Sequence, residues 1–266
     1  MPDVTPQGIA VVTGASSGIG AVYADRLARR GHDLILVARR ADRLQTLAVR
    51  LAADHGRRVE PLAADLATEA GLRTVEQALK GRAEVTMLVN NAGLARMSPL
   101  ARAPLADSLA QIALNVTAPV RLAQAVLPGF KARGTGTIVN IASILGIHSL
   151  PSSAVYSGSK AFMLAFSRGL QAEVRDSGVR VQAVLPAATA TEIWDQSGTP
   201  LASFDAGVVM TAEAMVDAAL AGLDQGEAVT WPSLADAALW ERFEAARSAL
   251  FAATQTGTPA PRYTAS

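Results

Sequence analysis

Residues 8–20 read GIAVVTGASSGIG, and the fold turns on them. Gly8 to Thr13 is a short apolar run, β-branched in its middle, that reads as a buried strand. The turn Thr13-Gly14-Ala15-Ser16-Ser17-Gly18-Ile19-Gly20 follows, and a helical pattern runs from about Ile19 to Arg30. Glycines at such a turn let the backbone come close to a pyrophosphate, which then sits at the N-terminus of the next helix. The spacing is G-x-x-x-G-x-G, and a tight strand–helix turn with no ligand would satisfy that motif alone.

Outward from this turn the same alternation repeats. A second apolar run, DLILVA, spans 33–38, and strand patterns recur near 58–63, 85–89, 136–141, 179–185 and 227–231. Helical patterns fall between them near 41–54, 68–80, 104–127, 152–176 and 212–224. Alternation of this kind means parallel βαβ units. The expected fold is α/β, a Rossmann-type doubly wound, seven-stranded and mostly parallel sheet with helices on both faces. No composition break or repeat divides residues 1–266, so one nucleotide-binding and catalytic domain is expected.

Composition removes several function classes. The chain has 266 residues, is 50% apolar and carries a net charge of +1 with no basic cluster, which leaves no footprint for nucleic acid. It has no cysteine and three scattered histidines, so thiolate sites are excluded and no metal is expected. No apolar run is long enough to span a membrane and no signal peptide is visible, so a soluble, cytoplasmic protein is expected.

The chemistry concentrates in residues 143–160, SILGIHSLPSSAVYSGSK. If Pro151 and Ser152 open a helix, Tyr156 and Lys160 stand one turn apart on one face. An ammonium there favours the phenolate and lowers the tyrosine pKa, as a general acid/base near neutrality requires. Ser143, at the end of the preceding strand, can hydrogen-bond a substrate oxygen on which charge develops.

Other residues point to the ligand. The second strand ends Ala38-Arg39-Arg40 where an NAD site places an Asp or Glu. Guanidinium groups suit a 2′-phosphate, which favours NADP(H) over NAD(H). Alternatively Arg40 only covers the start of the next helix. Asp65, with Leu66 beside it, reads equally as an adenine contact or as a turn residue. Asn90-Asn91-Ala92-Gly93 ends the fourth strand in small residues that let a ribose approach. Segment 104–127 carries Leu105, Leu109, Ile112, Val116, Val120 and Ala123 at helical spacing. Asn115 interrupts it, either facing solvent or binding an ordered water at a helix bulge. Residues 161–166, AFMLAF, are apolar on nearly every face, which implies a second buried surface: most simply a homo-oligomer interface through helices 104–127 and 152–176, or else cover by the chain's own C-terminal region.

After PAATAT at 186–191 the pattern becomes irregular, and about 188–212 reads as a lid. Ser233 is expected to cap a C-terminal helix, with Asp236 completing a capping box; helix and tail span about 233–266.

Taken together, T-G-x-x-x-G-x-G at 13–20, Asp65, N-N-A-G at 90–93, Asn115, Ser143 and Y-x-x-x-K at 156–160 resemble the short-chain dehydrogenase/reductase family, in its single-domain branch. The resemblance covers residues 8 to 191. It implies hydride transfer between a nicotinamide and a carbon bearing oxygen. Tyr156 would exchange the proton, Ser143 would polarise the oxygen, Lys160 would tune Tyr156 and bind the ribose, and Asn115 would hold a relay water. Gly14, Ser16, Ser17, Gly18, Ile19, Gly20, Asn91, Ala92, Gly93, Pro186 and Thr191 would bind the cofactor, with Ile19 and Thr191 at the nicotinamide. Two departures stand out: Pro186-Ala187 replaces the usual Pro-Gly, and the C-terminal region carries its own helix.

Leu145, His148, Leu150, Ile193, Trp194 and Phe204 would make a mostly apolar pocket for a ketone, aldehyde or secondary alcohol. The competing readings are a non-catalytic nucleotide-binding sensor on the same fold, an NAD-dependent alcohol dehydrogenase, and an epimerase or dehydratase. Retention of all four catalytic positions argues against the first.

Overall fold

The computed structural model of the chain describes residues 7–264. These form two compact units, the first ending at Pro232 and the second beginning at Ser233. In the first, β1 (Ile9–Thr13), β2 (Asp33–Ala38), β3 (Val59–Ala63), β4 (Val85–Asn90), β5 (Gly136–Ile141), β6 (Val179–Val184) and β9 (Val229–Thr230) make one seven-stranded sheet in the order 3-2-1-4-5-6-9. Every pairing in it is parallel. β9 has only two residues and is shorter than the sequence pattern suggested. A separate parallel ladder joins β7 (Thr189–Ala190) to β8 (Met210–Thr211), closing the base of the irregular segment between them.

Helices cover both faces, and the strand period decides which residue goes where. Ala10 and Val12 of β1 pack beneath α1 (Gly18–Arg29), α2 (Ala41–His55) and α7 (Ala212–Asp224), with Leu27, Leu44 and Leu220. Ile9 and Val11 face α3 (Glu69–Leu79), α5 (Ala118–Arg133) and α6 (Ala154–Glu173), with Val75, Phe130 and Leu170. A strand buried on both sides is expected to be largely apolar, and all five residues of β1 are buried, Thr13 being its one polar member.

The stretch expected as one helix over 104–127 is built differently. It comprises α4 (Leu105–Ile112), a π-helical turn at Ala113–Thr117, and α5. The α4 part of its apolar stripe does not face inward, whereas Ala123, further along in α5, packs in the core. Leu105 is 72% exposed, Leu109 55% and Ile112 44%, whereas Gln111 and Asn115 are each 2% exposed. The inner face meets loop backbone, whose peptide groups need polar partners, and that demand overrides the hydrophobic pattern.

Two further boundaries shift. α6 begins at Ala154, because Pro151 and Ser152 form a turn ahead of it. In the second unit α8 (Ala237–Ala253) is capped by Asp236, whose carboxylate accepts from the Ala238 N–H at 3.0 Å, and not by Ser233.

Candidate active site

Between β1 and β4 the chain reverses its order across the sheet, and the loops leaving their carboxyl ends diverge into a crevice. Thr13 fastens its two rims. Its hydroxyl donates to Val89 O at 3.1 Å and accepts from the N–H groups of Asn91 and Ala92, both at 3.0 Å. The Asn91 amide donates back to Thr13 O at 2.9 Å. Side chains are excluded here by contact. A Cβ on Gly20 would lie 2.3 Å from Gly14 O, and one on Gly14, already at φ +67°, would lie 2.8 Å from Asn91 Nδ2. Ser16, Ser17 and Gly18 therefore present backbone and hydroxyls at the start of α1, while Ile19 packs against the core below. Thr191 crosses this start: a Cβ on Gly18 would meet its methyl at 2.9 Å.

A positive site lies beside the same turn. Arg40 donates from Nε to Ser16 Oγ at 3.1 Å, and from Nη2 to Ser16 Oγ at 3.0 Å and Ser17 Oγ at 2.7 Å. Its remaining nitrogen, Nη1, donates to the Glu192 carboxylate at 2.7 Å, and Arg43 donates to the other oxygen at 2.6 Å. Those two guanidiniums hold the Glu192 carboxyl down at about 2. Arg40 thus stands at the N-terminal boundary of α2 while its guanidinium spans the glycine turn. Arg39, by contrast, is exposed and forms no ion pair among the described residues. Arg43 is a residue that the sequence reading missed. Its signal was an i,i+3 spacing from Arg40 at the first turn of α2.

Asp65 adopts the turn role. Its carboxylate accepts from Ala67 N–H at 3.0 Å and its carbonyl from Thr68 N–H, and Thr68 then caps α3 by accepting from Gly71 N–H. Leu66 is buried in the core half beneath α3.

The reactive groups gather at the carboxyl ends of β4 and β5. Tyr156 sits in the first turn of α6, with the Ser143 hydroxyl beside its phenol. Ser143 Oγ accepts from the Leu145 N–H at 3.1 Å, which leaves its own proton to stabilise an oxygen carrying charge. Lys160 lies one turn on, its Nζ 5.7 Å from the Tyr156 ring centroid and donating to Ile141 O at 2.8 Å. Gly93 brings the β4 loop to the same place: a Cβ there would lie 3.2 Å from Asn115 Oδ1 and 3.7 Å from Lys160 Nζ.

Protonation runs against the expected direction. Burial pushes the Tyr156 phenol up to about 12, with the Ser143 hydrogen bond only partly opposing it. Burial also pushes Lys160 down to about 8. Desolvation of the phenolate is the dominant cause, and the lowering expected from the cation one turn away is absent.

Asn115 does not face solvent. Its amide donates to Leu94 O at 2.9 Å and Ser159 Oγ at 3.0 Å, and its Oδ1 accepts from Leu94 N–H at 2.8 Å. Both amide protons are committed, tying the β4 loop to α6. Gln111, one turn earlier, grips the next outward peptide: its Oε1 accepts from Arg96 N–H at 2.9 Å. Arg96 in turn donates to Gln196 Oε1 at 3.0 Å and to the Gln196 carbonyl, holding the segment Glu192–Gln196. The sequence reading missed Gln111, though the 111/115 pairing of amides was its visible sign.

Of the apolar pocket residues, Trp194 and Phe204 meet edge-on with centroids 4.8 Å apart, and the Trp194 indole donates to Thr189 O at 2.7 Å. Ile193 lies half-buried on the same 3₁₀ turn, Leu145 half-buried beside Ser143, and His148 and Leu150 exposed on the loop before α6. Pro186 is buried, its carbonyl accepting from Ile144 N–H at 3.1 Å. Ala187 keeps a negative φ, since no non-glycine described residue has a positive one.

Comparison with known proteins fits this arrangement. The sequence profile of the short chain dehydrogenase family matches residues 8–201. The very-long-chain 3-oxoacyl-CoA reductase-A of Danio rerio is 36% identical over 188 residues, covering 69% of this chain and 59% of that protein. The chain spans about six tenths of the length of the curated relatives it matches. Among solved structures, a short-chain dehydrogenase from Sphingobium yanoikuyae in complex with NADPH superposes with a TM-score of 0.93 at 46% identity, covering 97% of this chain and 100% of that one. The bulky-bulky ketone specific alcohol dehydrogenase from Comamonas testosteroni gives 0.89 at 39% identity, covering 98% and 100%. A parallel sheet with this switch point, a profile match running from residue 8 to residue 201, and a reductase and dehydrogenases among the relatives have one common explanation: the chain belongs to the short chain dehydrogenase family of oxidoreductases.

Proposed function

We propose that this oxidoreductase interconverts a ketone or aldehyde and the corresponding alcohol using NADP(H), with Tyr156 as the general acid/base. The observation that carries the reading is the convergence of the Tyr156 phenol, the Ser143 hydroxyl beside it and the Lys160 amine, 5.7 Å from the Tyr156 ring. The nicotinamide supplies or accepts the hydride. In reduction the phenol gives its proton to the substrate oxygen, and Ser143 donates its hydroxyl proton to the same oxygen as charge develops. Lys160 offsets the charge left on the phenolate. Asn115 fixes the relative positions of the β4 loop and α6, and so of Tyr156 and Lys160.

The residues present fit the cofactor. The turn at Gly14 and Gly20 has no room for side chains and leaves backbone at the helix start. The Glu192 carboxylate on Arg40 and Arg43 marks an anion site beside it, where a 2′-phosphate would bind. Trp194, Phe204, Leu145 and Ile193 favour an apolar substrate, and the likeness to an enzyme described as specific for bulky-bulky ketones supports a ketone. The same reading takes the chain as one catalytic unit with residues from Ser233 on as an appended helix and tail. It also takes the protein as a cytoplasmic homo-oligomer. Among the described residues no helix is long and apolar enough to cross a membrane.

The test follows NADPH oxidation against bulky ketones, aldehydes, polyols and keto acids. Tyr156→Phe is expected to lower the rate about 10²- to 10⁴-fold while NADPH binding persists. A bulky ketone is expected to be turned over best. Full activity in Tyr156→Phe, or a polyol as best substrate, overturns the acid/base or the pocket assignment respectively.

A further inference from the structure

We propose that Glu192 is a specificity-determining residue that competes with the cofactor's 2′-phosphate for Arg40 and Arg43. The proposal rests on the NADP(H) reading above and deepens it. Each carboxylate oxygen takes one guanidinium, at 2.7 Å and 2.6 Å. The other donors of Arg40 are already turned to Ser16 and Ser17, the hydroxyls of the glycine turn. A 2′-phosphate that reaches this pair therefore meets a carboxylate already in place, and two anions cannot share the same donors without repulsion. The phosphate has more charge and more acceptor oxygens, so it displaces the carboxylate, but with weakened affinity. A neutral ribose 2′-hydroxyl has no such contest.

Glu192 also sits where displacement has consequences. It directly follows Thr191, which lies against Gly18 at the start of α1, and opens the 3₁₀ turn Glu192–Gln196. The far end of that turn is held by Arg96 on Gln196 and by Met97 N–H on Ser197 O. Displacing the carboxylate frees the near end of this segment while the far end stays fastened. The 2′ group of the nucleotide thus decides whether the lid's near end is tethered to α2.

The experiment is calorimetric titration of adenosine 2′,5′-bisphosphate, 5′-AMP, NADPH and NADH into the wild type, Glu192→Gln, Glu192→Ala, Arg40→Ala and Arg43→Ala. Exposed ion pairs are individually weak, so both Glu192 variants are expected to tighten the 2′-phosphorylated ligands by about three- to tenfold, with 5′-AMP and NADH nearly unchanged. Both arginine variants are expected to lower the NADPH-to-NADH affinity ratio. If they lower it while neither Glu192 variant raises it, the competition is refuted and the phosphate site stands. If the Glu192 variants move all four ligands alike, Glu192 only holds the lid, and the proposal is again refuted. An unchanged ratio in both arginine variants removes the phosphate site and the proposal with it.

Discussion

Tyr156 and Lys160 are displaced by burial toward their neutral forms, the phenol upward to about 12 and the amine downward to about 8. For an acid/base pair this has a sign that can be worked out. Ketone reduction needs the protonated phenol, which is fully populated throughout the neutral range. Its rate is expected to be nearly flat from mildly acidic pH to about 8. Alcohol oxidation needs the phenolate, whose fraction grows about tenfold per pH unit below the phenol's pKa. Oxidation should therefore climb with pH, and the climb should slacken near 8 as Lys160 loses the proton that favours phenolate. Lys160→Met is expected to abolish that bend and to slow oxidation more than reduction. Initial rates in both directions at saturating cofactor check this. A reduction rate that already falls tenfold per unit as pH rises toward 8 would show that a more acidic group donates the proton.

The two amides of the α4 and π segments act as a ladder for irregular backbone. Asn115 bonds the N–H and the C=O of Leu94 and Gln111 bonds the Arg96 N–H, so successive peptides of the β4 loop are held from one helical face. Leaving one such buried group unmatched costs about 1 to 3 kcal/mol. Gln111→Leu, close in volume, is expected to lower stability within that range, and Asn115→Leu to lower it more, since three bonds are lost. Urea unfolding midpoints check the order, and a Gln111→Leu protein as stable as the wild type would remove the ladder. This element also shows what was legible. β1 could be read because a parallel strand buried on both faces is expected to be largely apolar, and the glycine turn because contact with Gly14 O and Asn91 forbids side chains. Tyr156, Ser143 and Lys160 could be read from spacing and resemblance. The inner face of α4 could not: hydrophobic periodicity assumes an apolar neighbour, and here the neighbour is peptide backbone. Arg43 escaped for a related reason, because its partner Glu192 lies 149 positions along the chain and no local pattern links them. The downward shift expected for Tyr156 failed because sequence shows a cation one turn away but not the degree of burial.

What the ladder turns inward, it must also turn outward. With Gln111 and Asn115 facing the loop, Leu105, Leu109 and Ile112 project from α4, which packs against α6, where Phe162 is exposed and stacked on Phe166 at 5.7 Å. A run of large apolar side chains on adjacent helices is more than the scattered exposure ordinary on a monomer. Fully burying a leucine or phenylalanine contributes about 1.5 to 3 kcal/mol, and in a two-fold interface every contribution is counted twice. That supports the homo-oligomer proposed from the apolar run at 161–166. It also gives the exposed stripe of α4 a reason that the monomer does not supply. Sedimentation at micromolar concentration is expected to show a dimer or tetramer for the wild type. Leu109→Glu with Phe162→Glu should yield a monomer, because each carboxylate would have to be desolvated to reassemble the contact. Neither substitution alters Tyr156, Ser143 or Lys160, so the monomer should still bind NADPH, and binding distinguishes dissociation from unfolding. A monomeric wild type, or a double variant that stays assembled, would place the oligomer contact elsewhere or deny it altogether.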